Sequence, residues 1–208
     1  MSTLVAPSGV APSGPAMRGI APIGLDRETL DLTLQGLRAF AEEGLPTDRL
    51  LALDVADECP EANVRAMCGP DFGIHLLFIP EAYGGMGGGA LDVTRVCEAL
   101  ARVDLGVATG VLATFLGSEP LLVGGTEEQK ARWLGAIARD GLLMAYAATE
   151  PEAGSDLAAL RTVATPVTDA DGRIAAYRIR GGKMWISNGG IADLYAVLAQ
   201  APGGPSWF

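Results

Sequence analysis

The chain has 208 residues, of which 49% are hydrophobic and 19% are charged, a composition typical of a folded protein rather than of a disordered one. Its formal net charge of -10 opposes non-specific association with nucleic acids and anionic membranes, so neither is expected as a partner. Three cysteines without a CxxC pair, Cys59, Cys68 and Cys97, do not form a disulfide framework and favour a reducing, cytoplasmic location.

The amino-terminal residues 1–26 are rich in Ala, Pro, Ser and Gly and lack a basic cluster followed by an apolar core. This composition predicts a flexible tail rather than a signal sequence. The longest apolar stretch, Leu105 to Gly117, is shorter than the roughly 20 residues of a membrane helix. A soluble protein is therefore expected.

Residues 27–141 carry helical patterns and are predicted to form an α-helical domain. Asp26 is placed to cap the first helix, and Thr126 and Gln129 have the spacing of a capping box. Pro60 ends the second helix, because proline cannot continue a helix interior. The predicted helices are Arg27–Gly44, Asp48–Glu58, Leu91–Val103, Gly106–Leu116 and Glu127–Arg139.

Between the second and third helices, the apolar run His75–Pro80 leads into a loop with five glycines within residues 84–89. A phosphate-binding loop is one interpretation. The loop lacks the Lys-Ser/Thr of a P-loop and does not match GxGxxG, so a turn between two elements is favoured. His75, the single histidine, is interpreted as a structural side chain rather than a zinc ligand.

After Gly141 the pattern changes to short apolar runs separated by turn residues, and antiparallel strands are predicted for residues 142–208. The predicted strands are Leu142–Ala148, Leu160–Pro166, Ala175–Arg180, Lys183–Ser187 and Asp193–Gln200. Asp169–Gly172 and Arg180–Lys183 are predicted hairpin turns. The fold class is therefore α+β, with helices first and strands second.

Two segments of this second half carry most of the chemical information: YAATEPEAGSD at 146–156 and KMWISNGG at 183–190. Each places small residues beside hydroxyl groups, and the second adds Trp185. A flat ring held against backbone needs small residues, polar donors at its edge and an aromatic side chain on a face, as a flavin does. Taken singly, the first segment is also compatible with an ordinary turn, and Trp185 with a core aromatic in an alternating strand.

The segment TEPEAGSD resembles the first signature of the acyl-CoA dehydrogenases, flavoenzymes that oxidise fatty-acyl thioesters, and KMWISNGG resembles their second motif. Ile79–Gly85 and Gly125–Lys130 are similar to segments of that family's helical domain. The resemblance covers roughly residues 27 to 200. It implies a helical amino-terminal domain followed by an incomplete antiparallel β-barrel, with the family's carboxy-terminal helical domain absent.

The resemblance implies FAD as the cofactor. By similarity, Thr149 would donate its hydroxyl to the pyrimidine end of the flavin, and Ser187, where the family commonly has Thr, would lie near the hydride-accepting nitrogen. Ser155 would also contact the acyl-CoA near its phosphate-bearing part. The implied cofactor-binding residues are Tyr146, Ala147, Ala148, Thr149, Glu150, Gly154, Ser155, Trp185, Ile186 and Ser187.

The implied reaction converts a saturated acyl-CoA to the 2-enoyl-CoA and passes electrons to an electron-transfer flavoprotein. In the family, a carboxylate of the later helical domain removes the α-proton, and that domain also completes the FAD site across a subunit contact. The catalytic glutamate is therefore expected beyond residue 208, no catalytic residue is assigned within the chain, and Glu150 is not assigned as the base. The full-length protein is expected to be a homo-oligomer.

Other functions stay open on the sequence. One is a catalytically silent homologue that acts as a binding or partner subunit. Flavin oxidases, nitroalkane oxidases and carrier-protein-linked dehydrogenases share these motifs as well. An α/β-hydrolase is disfavoured, because there is no GxSxG elbow and a single histidine would have to serve the whole mechanism.

Overall fold

Helices precede strands in the part of the chain that a computed structural model describes, residues 24–70 and 72–208. The α-helices of this part are α1 (Arg27–Gly44), α2 (Thr47–Val55), α3 (Glu61–Cys68), α4 (Ala90–Ala101), α5 (Leu105–Gly124) and α6 (Glu127–Asp140). The strands are β1 (Met144–Ala147), β2 (Val163–Thr168), β3 (Ile174–Arg180), β4 (Leu194–Ala201) and β5 (Gly204–Trp207). The predicted order of helical and β parts is confirmed. The predicted tail falls almost entirely outside the described residues.

The predicted helix caps are confirmed. The Asp26 carboxylate accepts a hydrogen bond from the Thr29 amide at 2.9 Å. At the start of α6, the Thr126 hydroxyl accepts from the Gln129 amide at 3.2 Å, and the Gln129 side chain accepts from the Thr126 amide at 2.9 Å. These bonds satisfy amide groups that a helix start would otherwise leave unpaired.

Helix α5 is longer than predicted. It has 20 residues and includes Pro120. Proline removes one backbone hydrogen bond of the helix, but the apolar sequence and its packing continue beyond this position, and the helix continues with them. Of the helices in the described part of the chain, α5 alone has the length and composition of a membrane span, so the prediction that this apolar stretch is too short to span a membrane was wrong. In the structure α5 packs against α3, α4, α6 and β1.

The glycine loop at residues 84–89 is a packed turn. The Met86 amide donates to the Leu76 carbonyl and the Gly88 amide donates to the Leu77 carbonyl, both at 2.7 Å. These amides already have acceptors within the protein, as the turn interpretation expects. His75, at the start of this region, is buried, with Nε2 lying 3.0 Å from the Ala138 carbonyl oxygen.

The sheet is mixed, so the prediction of purely antiparallel strands was wrong. Strand β4 is its centre: β4 runs parallel to β1, antiparallel to β5, and touches β2 in parallel at Val163 and Gln200. Strands β2 and β3 form an antiparallel hairpin through the Asp169–Gly172 turn, as predicted. The parallel β1–β4 pair is possible because the long connection, residues 148–193, brings the chain back to the end of the sheet at which β1 begins.

The segment Lys183–Ser187, predicted as a strand, is irregular, and Arg180–Lys183 is not a hairpin turn. After β3, the chain crosses to the first motif, where the Met184 amide donates to the Thr149 carbonyl at 3.1 Å. Trp185 and Asn188 have left-handed backbone conformations, with φ of 57° and 61°. A regular strand does not contain non-glycine residues with positive φ, so the strand predicted from the short apolar run Lys183–Ser187 is wrong.

The helical and β parts share one hydrophobic core, which includes residues from α1 to β4. Helix α5 lies close on β1 at Gly117, where a Cβ atom would come within 2.6 Å of the Met144 Cβ. A second tie is the Arg65 guanidinium on α3, which lies 3.1 Å from the Asp193 carboxylate next to β4. These contacts hold the start of the sheet against the helices.

Candidate functional site

A cleft of about 340 Å³ opens where the two motifs meet on the face of β1 and β4. Strand β1 contributes Ala147, and strand β4 contributes Tyr195 and Val197, which share a face because strand residues alternate. The remaining lining comes from the second motif: Lys183, Met184, Trp185, Ile186 and Gly189. The structure therefore brings together two segments that are more than 30 residues apart in the sequence.

Trp185 is the most conspicuous side chain of the cleft, because it is 83% exposed. A large aromatic residue in a left-handed backbone conformation is strained, and it loses apolar burial when it faces solvent. The interpretation of Trp185 as a core aromatic is therefore wrong. Such a side chain is typical of a surface that receives a flat apolar or aromatic ligand.

A largely buried ion pair joins the two motifs at the edge of the cleft, whose lining includes Lys183. The Lys183 ammonium lies 2.7 Å from the Glu150 carboxylate, with side-chain exposures of 12% and 2%. Lys183 also donates to the Ala148 carbonyl at 2.9 Å. The Glu150 carboxylate accepts further bonds from the backbone amides of Arg161 at 2.7 Å and Thr162 at 3.0 Å.

These contacts decide the charge of Glu150. Burial by itself would raise the pKa of its carboxyl, but the Lys183 ammonium and the hydrogen bonds from residues 161 and 162 outweigh burial and lower the pKa to about 2. Glu150 is therefore an anion at neutral pH, with its oxygens already occupied. The carboxylate acts as a structural anchor, and a contact of this residue with a cofactor would have to come from its backbone.

Asn188 anchors the other end of the second motif. Its side-chain amide donates to the Gly110 carbonyl on α5 at 2.8 Å and to the Met144 carbonyl on β1 at 3.1 Å. Its left-handed backbone conformation is one that Asn tolerates better than most residues. The second motif is thus tied to both the helical and the β part.

The ten residues predicted to bind the cofactor divide by position. Ala147, Trp185 and Ile186 line the cleft. Ser187 follows them on the exposed side, and Thr149 is half-buried beside Met184. Behind the cleft, Ala148 and Glu150 are buried.

The other predicted residues lie away from this cleft or in a neighbouring loop. The Tyr146 ring packs on Trp207, with a centroid distance of 4.6 Å, on the opposite face of β1 from Ala147. Gly154 and Ser155 lie in an exposed loop. This position leaves Ser155 free to meet a second ligand, as the substrate prediction for it requires.

Sequence reasoning did not single out Tyr195 or Val197 as site residues. Tyr195 donates its hydroxyl to the Gly189 carbonyl at 3.0 Å, which connects β4 to the second motif. The alternation of residues 193–200 predicts that both share one face of the strand. Tyr195 and Val197 were missed because the local pattern does not show that β4 pairs with β1 in parallel, and an antiparallel sheet was predicted instead.

A larger cavity, of about 530 Å³, lies between the carboxy-terminal half of α5, helix α6 and the sheet. Its lining is largely apolar and includes Pro120, Leu121, Trp133, Trp207 and Phe208. Tyr195 lines both this cavity and the cleft of the second motif. The two spaces therefore adjoin each other at β4.

The residues of the cleft fit a flavin in chemical character. Ala147 and Gly189 are small, and Trp185 offers an aromatic face. Ser187, which follows Ile186 on the exposed side, offers a hydroxyl donor. The surrounding side chains Met184, Ile186 and Val197 are apolar.

Comparison with known proteins agrees with this description. Family models named "Acyl-CoA dehydrogenase, N-terminal domain" and "Acyl-CoA dehydrogenase, middle domain" match residues 27–141 and 145–208. A probable acyl-CoA dehydrogenase of Mycobacterium bovis is 35% identical over 172 residues, which are 83% of this chain and 42% of the relative.

Solved structures of the family superpose on the chain. Butyryl-CoA dehydrogenase from Megasphaera elsdenii matches with a TM-score of 0.73 and 31% identity, over 85% of this chain and 45% of that one. An acyl-CoA dehydrogenase complexed with FAD, from Bacillus anthracis, matches with a TM-score of 0.72 and 28% identity, over 91% and 31% of the two chains. The chain thus spans less than half the length of these relatives. Their family is FAD-dependent, and the chain belongs to it: the protein is a member of the acyl-CoA dehydrogenase family.

Proposed function

We propose that this chain supplies the helical domain and the flavin-contacting wall of an FAD-dependent acyl-CoA dehydrogenase. The reaction would convert a saturated acyl-CoA to the 2-enoyl-CoA, with electrons passing to an electron-transfer flavoprotein. The observation that carries the proposal is the cleft of Ala147, Trp185 and Ile186, in which a strained and 83% exposed tryptophan meets residues of both family motifs.

Within this function, the residues of the chain bind and orient. The Trp185 ring would cover a face of the bound ring system, and the Ser187 and Thr149 hydroxyls would donate hydrogen bonds to its polar edge. Small side chains at Ala147 and Gly189 would let backbone groups approach. FAD, when bound, supplies the acceptor for the hydride that leaves the β-carbon of the thioester.

The proton of the α-carbon needs a base, and we assign none within this chain. Glu150 is unsuitable because its pKa is about 2 and its carboxylate is buried against Lys183. By family resemblance, the base belongs to the carboxy-terminal helical domain, which neither matched family model includes. Turnover would then require this chain together with that domain.

The proposal is tested by comparing the 208-residue chain with a fusion to the carboxy-terminal domain of the Megasphaera elsdenii relative. The fusion should retain FAD and reduce a dye when an acyl-CoA is added, whereas the 208-residue chain should bind FAD weakly or not at all and show no turnover. Trp185→Ala in the fusion should lower FAD content. A fusion that folds but binds no FAD would disprove the proposal, and one that binds FAD without turnover would favour a silent partner subunit.

A further inference from the structure

The segment 183–188 exposes Trp185 and Ser187 and is attached to the fold mainly near its two ends. At one end, Lys183 bonds to Glu150 and Ala148 of the first motif. At the other end, the Asn188 side chain bonds to α5 and β1. Next to Lys183, the Met184 amide donates a hydrogen bond to the Thr149 carbonyl, which also holds the segment to the first motif. The anchors therefore determine the direction in which the exposed residues point.

The Lys183 anchor is unusual because it is charged and buried. Removing two charges from water is costly, and a buried pair is tolerated when further hydrogen bonds satisfy both partners. Here the ammonium has two acceptors, and the carboxylate also accepts bonds from two backbone amides. The network links residues 33 positions apart in the sequence.

The position of this network suggests a role beyond stability. Lys183 precedes Met184 and the strained Trp185, and Glu150 follows Thr149, whose carbonyl accepts the Met184 amide. A shift of the Lys183 backbone would therefore displace the cleft wall, while the β1–β4 ladder has its own hydrogen bonds. Side chains that hold a site in place are usually locked by such supporting contacts.

We propose that Lys183, through its buried pair with Glu150, is a positioning residue that sets the orientation of Trp185 and Ser187 toward the cofactor. This inference rests on the proposed function, because it assumes that the cleft holds FAD. It assigns no chemical step to either residue. Loss of the pair should loosen residues 184–187 locally and weaken the cofactor site before the fold is lost.

The test is Lys183→Met, which keeps the apolar length of the side chain and removes the charge. We expect the Met184 amide to exchange its hydrogen about tenfold faster or more, with amides of β1 near their parent rates. In the fusion with the relative's carboxy-terminal domain, FAD affinity should fall about tenfold. Lys183→Gln retains a donor and should give intermediate values for both quantities.

A matched control is Arg102→Met, which breaks the exposed pair of Arg102 with Glu98, also 2.7 Å long. It should leave both quantities unchanged, since exposed pairs contribute little. The inference would be overturned if the Met184 amide exchanged at the parent rate in both Lys183 variants. It would also be overturned if the exchange rates of the β1 amides rose as much as that of Met184. If Lys183→Met does not fold, Lys183→Gln decides by the same comparison. Exchange is measured without FAD, so a folded parent fusion that binds no FAD would disprove the proposed function and leave the exchange result standing.

Discussion

Two hydroxyl side chains of the predicted cofactor site differ in their surroundings. Thr149 is half-buried between β1 and the second motif, and its carbonyl accepts the Met184 amide. Ser187 is exposed at the rim beyond Trp185 and Ile186. Since a hydrogen bond contributes most to a rate when charge develops beside it, the two hydroxyls should have separable effects.

Ser187→Ala, in an enzyme completed with the carboxy-terminal domain, should slow flavin reduction about tenfold or more and change substrate affinity little. A donor near the hydride-accepting nitrogen helps most as the ring becomes negative, although delocalisation keeps the effect below that of a dedicated oxyanion donor. Stopped-flow reduction at saturating acyl-CoA measures this. Reduction at the parent rate would show that the predicted role of Ser187 is wrong.

Thr149→Ala should instead weaken FAD retention, because its hydroxyl would serve the bound cofactor in both redox states. The FAD content of the purified protein and the FAD dissociation constant measure the effect. Thr149→Ser is the matched control, since it keeps the hydroxyl, and it should remain close to the parent. Unchanged FAD affinity in the alanine variant would remove Thr149 from the predicted contacts.

At the scale of elements, the contact between α5 and β1 sets the position of the site. Gly117 leaves no room for a side chain against Met144, and α5 also supplies the Gly110 carbonyl that holds Asn188. The helix is therefore both part of the core and a support for the second motif. A change that separates α5 from β1 should disturb stability and site together.

Gly117→Ala should lower the free energy of unfolding by about 1–3 kcal/mol, because its Cβ atom would overlap with Met144 and the β1 backbone. Gly135→Ala on α6 is the control, since a Cβ atom there meets nothing within 4 Å. It should stabilise the chain by up to about 1 kcal/mol through helix propensity. Urea denaturation measures the free energy of unfolding of both variants. Equal changes in the two variants would contradict the close packing of Gly117 on β1.

At the scale of the whole molecule, three groups make the fold sensitive to acid. Burial lowers the pKa of His75, and the Ala138 carbonyl offsets only part of this effect. For Asp193, burial would raise the pKa, but the Leu143 amide and Arg65 outweigh burial and lower it. With Glu150 at about 2, each group binds protons less readily in the folded state than in the unfolded chain.

Stability should therefore fall as pH falls, because protons favour the unfolded chain. The stability that the neutral His75 side chain contributes is lost as the pH falls below about 6.5. The stability that the Glu150 carboxylate contributes is lost as the pH falls from the ordinary pKa of 4.5 toward about 2. Urea denaturation at pH 7, 5.5 and 4 measures the slope. His75→Gln can still donate to Ala138 and should remove the loss between pH 7 and 5.5, whereas an unchanged slope would contradict the assignment.

The sequence by itself determined the features that depend on neighbours along the chain. The caps at Asp26 and Thr126 join residues three positions apart, and the turn at residues 169–172 closes within five residues. Such contacts can be predicted from the sequence because both partners lie in the same short segment. The order of helical and β parts and the family resemblance followed from the same local patterns.

Only the tertiary structure decided how distant segments meet. Residues 183–187 look like a strand, yet the bonds of Lys183 to Glu150 and of Asn188 to Gly110 hold them in an irregular path. The side-chain contacts span 33 and 78 residues, and nothing in a local pattern states which partners will be adjacent. The parallel pairing of β1 with β4, the exposure of Trp185 and the structural role of Glu150 therefore followed from packing, where buried charge and backbone strain are compensated by groups far away in the sequence.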